Sequence, residues 1–159
     1  MTGRCCEEFH AGMVMRHELR RTVTETDNVI FTTMTHNPSP LHLDADTMRK
    51  SEFRQPLVNS CFTFGLMVGI SVADTTMGTA VANLGFDEVR FPRPVFHGDT
   101  LRVETEVVSV RDSASRPEAG VVTLMHRTFN QREELVASCK RTVLVRKGNA
   151  AATAGGRPG

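Results

Sequence analysis

Ser60-Cys61-Phe62-Thr63-Phe64-Gly65-Leu66-Met67-Val68-Gly69-Ile70-Ser71-Val72 decides how this chain is read. Phe62, Leu66, Gly69 and Ile70 recur near helical spacing, while Phe64, Met67 and Val68 fill other faces. A helix that is apolar nearly all round must be buried on several sides. Gly65 and Gly69, four residues apart, permit close approach of another backbone. The segment is therefore read as the central helix of the fold. It falls short of the roughly 20 apolar residues of a membrane span.

Downstream of it the pattern changes to strand. Residues 80–86 and 88–91 are rich in apolar and β-forming types. Leu101 to Val110 alternates, with Leu101, Val103, Thr105, Val107 and Ser109 on one face and Arg102, Glu104, Glu106 and Val108 on the other. Arg111 to Gly120 reads as a polar hairpin connection, and Val121 to Phe129 and Leu135 to Val145 as two further strands. Upstream, Met13 to Thr22 reads as one strand. Glu25 to Met34 reads as a helix with Thr24 as N-cap and Asp27 as its N3 acid. Pro38 and Pro40 predict a loop over 37–42, and Asp44 caps a second short helix. Helices and strands segregate along the chain, which predicts an α+β domain with an antiparallel sheet covering one long helix. Such a sheet leaves an open edge, and a homodimer would cover it.

The 159 residues suit one domain. Residues 1–8 are expected to be a flexible N-terminus, 9–147 the domain, and 148–159, rich in Gly and Ala, a disordered tail. A formal net charge of +1 argues against a dedicated nucleic-acid surface. The N-terminus lacks the apolar core of a secretory signal, no stretch is a membrane span, and a cytoplasmic protein is expected. Cys5, Cys6, Cys61 and Cys139 match no zinc spacing, and no metal is expected.

The chemistry-bearing residues cluster in ordered motifs. Asn37-Pro38-Ser39-Pro40-Leu41-His42-Leu43-Asp44 places a histidine on a proline-stiffened segment. Thr24-Glu25-Thr26-Asp27-Asn28 and Phe31-Thr32-Thr33-Met34-Thr35 precede it; Pro56-Leu57-Val58-Asn59-Ser60 and Phe91-Pro92-Arg93-Pro94-Val95-Phe96-His97-Gly98-Asp99-Thr100 follow. Over roughly residues 7 to 147 this set resembles the MaoC-like dehydratases, a hotdog-fold family that includes the (R)-specific enoyl-CoA hydratases. The resemblance implies a single hotdog domain and an acyl-CoA substrate, with no metal or redox cofactor. Within that family, the form seen here resembles hydratases of short branched or dicarboxylic acyl-CoAs, of the itaconyl- or mesaconyl-CoA kind.

The resemblance implies that His42 is the general acid/base. The family usually has Asp five residues earlier, where this chain has Asn37. A neutral amide cannot accept a proton from water but can orient it. Three readings stay open: His42 acts alone, the substrate or another residue supplies the second group, or the domain binds acyl-CoA without turnover. His36 adjoins Asn37 as a candidate second group or a solvated side chain. Asp44 is read as a helix cap. Asn59 and Ser60 open the central helix, where unpaired N–H groups would hold a thioester oxygen; either could equally serve as an N-cap. Arg90 and Arg93 are candidate contacts to CoA phosphates, and a nearby arginine is a candidate anchor for a substrate carboxylate. Asn83 and Gly85 are candidates to line the acyl tunnel. The leading function is a hydro-lyase that adds water to a short enoyl-CoA. Its rivals are a non-catalytic acyl-CoA-binding domain and an acyl-CoA thioesterase. The last ranks lower because no carboxylate lies between Ser60 and Ala73.

Overall fold

The computed structural model describes residues 3–148. The strands are β1 (Val14–Arg16), β2 (Arg21–Thr22), β3 (Ala80–Arg90), β4 (Thr100–Asp112), β5 (Ala119–Phe129) and β6 (Leu135–Arg146). The helices are α1 (Glu25–Met34), α2 (Pro40–Leu43), α3 (Ala45–Arg49) and α4 (Ser60–Thr75), and a 3-10 turn spans Cys6–Glu8. All ladders are antiparallel, in the order β1-β4-β5-β6-β3, with β2 also pairing with β4. The sheet packs against α4 through β4, β5 and β6, as the α+β reading expects.

The core lies between sheet and helix. Met67 and Ile70 of α4 pack on Val103, Ala137 and Cys139, all essentially buried. Phe62 and Leu66, one turn nearer the start of α4, pack on Val23, Val58, Val95, Leu101 and Val136. Burial of α4 is one-sided in the single chain. Cys61, Gly65 and Gly69 are exposed, and a Cβ added at either glycine would meet nothing within 4 Å. The glycines that were expected to permit close backbone approach face open space here.

Three local expectations are corrected. Met13 to Thr22 is two short strands, not one. Between the pairs Arg16↔Glu104 and Arg21↔Leu101 the first strand advances five residues and the second three, so residues around Glu18–Arg20 leave the ladder. Along β4, Leu101, Val103, Thr105 and Val107 face the core as the alternation requires. A register shift between Val107 and Ser109 then reverses the phase, because an extra residue turns each later side chain to the opposite face. Ser109 is exposed, and Val110 packs on the core instead. The polar connection narrows to residues 113–118, since β4 and β5 both extend into it.

The segment 3–8 was read as flexible, yet it is held. Gly3 and Arg4 donate backbone hydrogen bonds to Met77 and Thr75 carbonyls at 2.6 and 2.8 Å. Cys6 and Phe9 close one end of the core with Val107, Val122, Leu124 and Val143. Of the tail read as disordered, residues 149–159 lie outside the described residues.

Candidate active site

Local chemistry sets the scaffold of the site. In α1, Thr24 Oγ1 accepts from the Asp27 N–H at 3.2 Å and Asp27 Oδ2 accepts from the Thr24 N–H at 2.8 Å, a reciprocal capping box. The helix ends on His36, which adopts a positive φ of 54° and is exposed. That backbone role accounts for His36. The segment 37–42, expected as a loop, closes into a helical turn from Pro40. Ser39 caps it, and proline at the first helical position sacrifices no hydrogen bond. His42 therefore rides on α2. Asp44 caps α3 by accepting from the Asp46 and Thr47 N–H groups and the Thr47 hydroxyl. Those Thr47 hydrogen bonds hold its carboxyl below the usual carboxylate range. It is a cap, as read.

The His42 ring is oriented by one contact. Nδ1 lies 2.9 Å from the Leu57 carbonyl oxygen, so Nδ1 carries the proton and donates it. In the neutral ring, Nε2 then keeps its lone pair. His42 lines a cavity of about 350 Å³ together with Leu41, Phe53, Leu57, Val58, Ser60, Thr63, Phe91, Arg93, Pro94, Val95 and Val136. The wall is largely apolar, and Arg93 is its one permanently charged side chain among the described residues. Arg93 remains 60% exposed, with Glu134 Oε1 3.4 Å away.

Ser60 begins α4 at the cavity wall. Asn59 caps that helix by accepting from the Cys61 N–H at 3.0 Å, and its own N–H is taken by Asn28 Oδ1 at 2.8 Å. The expectation that both 59 and 60 offer free N–H groups is thus halved. The Ser60 and Phe62 N–H groups have no partner among the described residues; both lie at the positive end of the helix dipole, and of the two residues Ser60 lines the cavity.

The other expected site residues lie elsewhere. Asn37 Oδ1 accepts from the Ser39 N–H at 3.0 Å, and Asn37 lines a separate cavity with Thr33, His36, Pro38 and Leu43. Asn83 accepts from the buried Arg141 Nε at 2.7 Å, so this polar residue serves a neighbouring strand. Gly85 pairs with Thr142 in the β3–β6 ladder. Arg90 is exposed at the end of β3. None of these four lines the His42 cavity. Gly98-Asp99 forms the expected turn: Gly98 has φ 90° and Asp99 accepts from the Phe96 N–H at 2.9 Å.

Sequence reasoning gave Asn28 no role of its own. Its side chain is fully buried and contacts the His42 and Leu57 carbonyls, the Asn59 N–H and the His97 ring. A signal was present: Asn28 and Thr32 put two polar, poor helix formers on one face of α1. Also missed was a polar chain under α4. Asp74 Oδ2 meets His17 Nδ1 at 2.7 Å, His17 Nε2 meets Thr105 Oγ1 at 2.7 Å, and Thr105 Oγ1 meets His126 Nδ1 at 2.8 Å.

Comparison with known proteins fits this geometry. The family model described as MaoC like domain matches residues 8–128. A mesaconyl-CoA hydratase from Cereibacter sphaeroides is 34% identical over 152 residues, which cover 96% of this chain and 44% of that protein. A solved structure of a monoamine oxidase regulatory protein from Archaeoglobus has 32% identity and a TM-score of 0.81, covering 92% of this chain and 97% of that one. A Mycobacterium tuberculosis protein with a double hotdog fold matches with a TM-score of 0.82 at 24% identity, over 99% of this chain and 47% of that one. The chain spans less than half the length of the first curated relatives it matches. The fold is a hotdog.

Proposed function

The chain belongs to the MaoC-like domain family, and on that premise we propose that it adds water to the double bond of a short enoyl-CoA, or runs the reverse dehydration. One observation carries the reading: a histidine with its Nδ1 proton spent on Leu57 shares a cavity with a free helix-N-terminal N–H at Ser60. The neutral Nε2 takes a proton from water as the water oxygen bonds to Cβ. The alkene electrons move to the thioester oxygen, where the Ser60 N–H stabilises the developing negative charge. The imidazolium then returns its proton to Cα and the enolate collapses to the saturated thioester. One H and one OH are added, and the base is regenerated. Asn37 is not needed for this sequence, which favours His42 acting alone. The addition is redox-neutral, so no redox cofactor enters.

The substrate class follows from the cavity and from a relative. About 350 Å³ suits a short acyl group. A lone guanidinium on an otherwise apolar wall suits an acyl group bearing its own carboxylate. The Cereibacter relative is named for mesaconyl-CoA, which fits. Four thiols, none of them paired, suit a reducing compartment such as the cytoplasm.

We also propose a paired assembly. β3 is an 11-residue edge strand with Leu84, Phe86 and Val89 exposed, Phe86 meets Phe64 of α4 edge-on, and the Cys61-Gly65-Gly69 face of α4 is open. A second hotdog unit, in a second copy of the chain, would extend the sheet and cover that face.

The test is loss of absorbance at the conjugated thioester across a panel of short enoyl-CoAs. Turnover of a dicarboxylic member, falling about 10²–10⁴-fold in His42→Ala, is expected. Binding of CoA esters without turnover of any would replace this reading with an acyl-CoA-binding domain, and free-thiol release with a thioesterase.

A further inference from the structure

Asn28 is the best-connected buried side chain near the cavity, and nothing in the proposed chemistry uses it. It lies one turn into α1 with no exposed surface. Its amide nitrogen is 3.2 Å from the His42 carbonyl oxygen, 3.1 Å from the Leu57 carbonyl oxygen and 3.0 Å from His97 Nε2. Its amide oxygen accepts from the Asn59 N–H at 2.8 Å and lies 3.5 Å from the Thr32 hydroxyl. Two of these partners bear directly on the reacting groups. The Leu57 carbonyl is the same oxygen that receives the His42 Nδ1 proton. Asn59 immediately precedes Ser60, the cavity residue with a free N–H.

We infer that Asn28 is a positioning residue that locks the His42 imidazole and the Ser60 N–H into one frame and holds His42 in its Nδ1–H tautomer. The chemistry requires an amide. Its two faces must be opposite in polarity: two N–H donors shared among two carbonyls and a histidine nitrogen, oxygen toward a backbone N–H. Aspartate would keep the acceptor for Asn59 and lose every donor, setting a carboxylate against two carbonyl oxygens. The side chain therefore couples the helix carrying the base to the helix carrying the oxyanion donor, though the two share no backbone hydrogen bond of their own. The catalytic consequence rests on the hydratase reading; the tautomer does not.

The experiment is nitrogen-15 NMR of the His42 ring in the full chain, with Asn28→Asp and Asn28→Ser, alongside steady-state hydration kinetics. In the wild type the Nδ1–H tautomer should dominate. In Asn28→Asp it should give way to a mixture, with kcat reduced tenfold or more and KM changed less than threefold. Thr32→Val, which leaves the amide donors in place, should preserve the tautomer. A wild type that holds the Nε2–H tautomer overturns the inference without any variant. So does a folded Asn28 variant with the wild-type tautomer and kcat. A wild type with the Nδ1–H tautomer and no hydratase activity would overturn the functional reading and leave the positioning role standing.

Discussion

In the proposed chemistry Ser60 serves through its backbone, whereas Asn59 caps α4 with its side chain and has no backbone N–H to spare. The two residues look interchangeable in sequence and are chemically opposite in place. That contrast gives a clean substitution. Proline at position 60 deletes the N–H and fits the first helical position. Asn59 already has ψ 125°, which a following proline accepts. Ser60→Pro should keep its helical circular dichroism and lose about 10²–10³-fold in kcat. Ser60→Ala should stay within about threefold of wild type, as the side chain is not the donor. Arg93 tests substrate choice at the same scale. Arg93→Met should cut kcat/KM for a dicarboxylic enoyl-CoA by about 10–100-fold, the loss of one charged hydrogen-bonded pair, and spare crotonyl-CoA. Equal losses on both would assign the guanidinium to CoA. His42 was legible from its motif, and Arg93 only as one of two arginines. Arg90 and Arg93 are three residues apart, yet the strand ends between them and only one reaches the cavity.

Elements were read well where their signals are local. The α1 capping box, the Asp44 cap and the opening of α4 at Ser60 all involve groups within four residues. The elements misread are those whose partners lie far away. Residues 3–8 carry no periodicity, but Cys6 packs on Gly120 of β5, where a Cβ would collide with its sulfur. Gly120→Ala should therefore destabilise the protein by about 1–3 kcal/mol, the usual cost of overpacking, and loosen the N-terminal segment. Urea unfolding measures the first and hydrogen exchange at Gly3 and Arg4 the second; no change in either would mean the segment is held by its backbone contacts alone. The phase reversal at Val107–Ser109 was likewise invisible. A bulge answers to the neighbouring strand, not to the alternation of its own.

Across the whole molecule, the polar chain from Asp74 to His126 predicts acid sensitivity. Burial first, then the charges of Arg141 and His17, push the His126 pKa down to about 3. In the unfolded chain it titrates near ~6.5. Between those values the unfolded chain takes up a proton that the folded one refuses. The contribution is thus intact above about pH 6.5 and is lost as pH falls toward 3, up to about 4–5 kcal/mol. Urea midpoints from pH 7 to 4 should fall more steeply for wild type than for His126→Gln; parallel curves would place the acid-labile group elsewhere. The paired assembly is tested by sedimentation. Leu84→Lys puts a charge on the β3 edge, 54% exposed in the single chain, and should halve the mass without changing circular dichroism. A wild type already at the mass of one chain would end that proposal.

The sequence by itself determined that a long apolar helix is covered by an antiparallel sheet, where α1, α3 and α4 begin, and which histidine sits on the proline-braced turn. Those are properties of periodicity and of hydrogen bonds that close within a few residues. Only the tertiary structure decided which of these groups meet. It separated Asn37 from the His42 cavity, gave Asn83 to Arg141, chose Arg93 over Arg90, and left one side of α4 uncovered. It also made Asn28 the junction of residues 14 to 69 positions away. The physical reason is that a buried amide takes whichever donors and acceptors the chain crossing delivers to it, and no local pattern encodes that crossing.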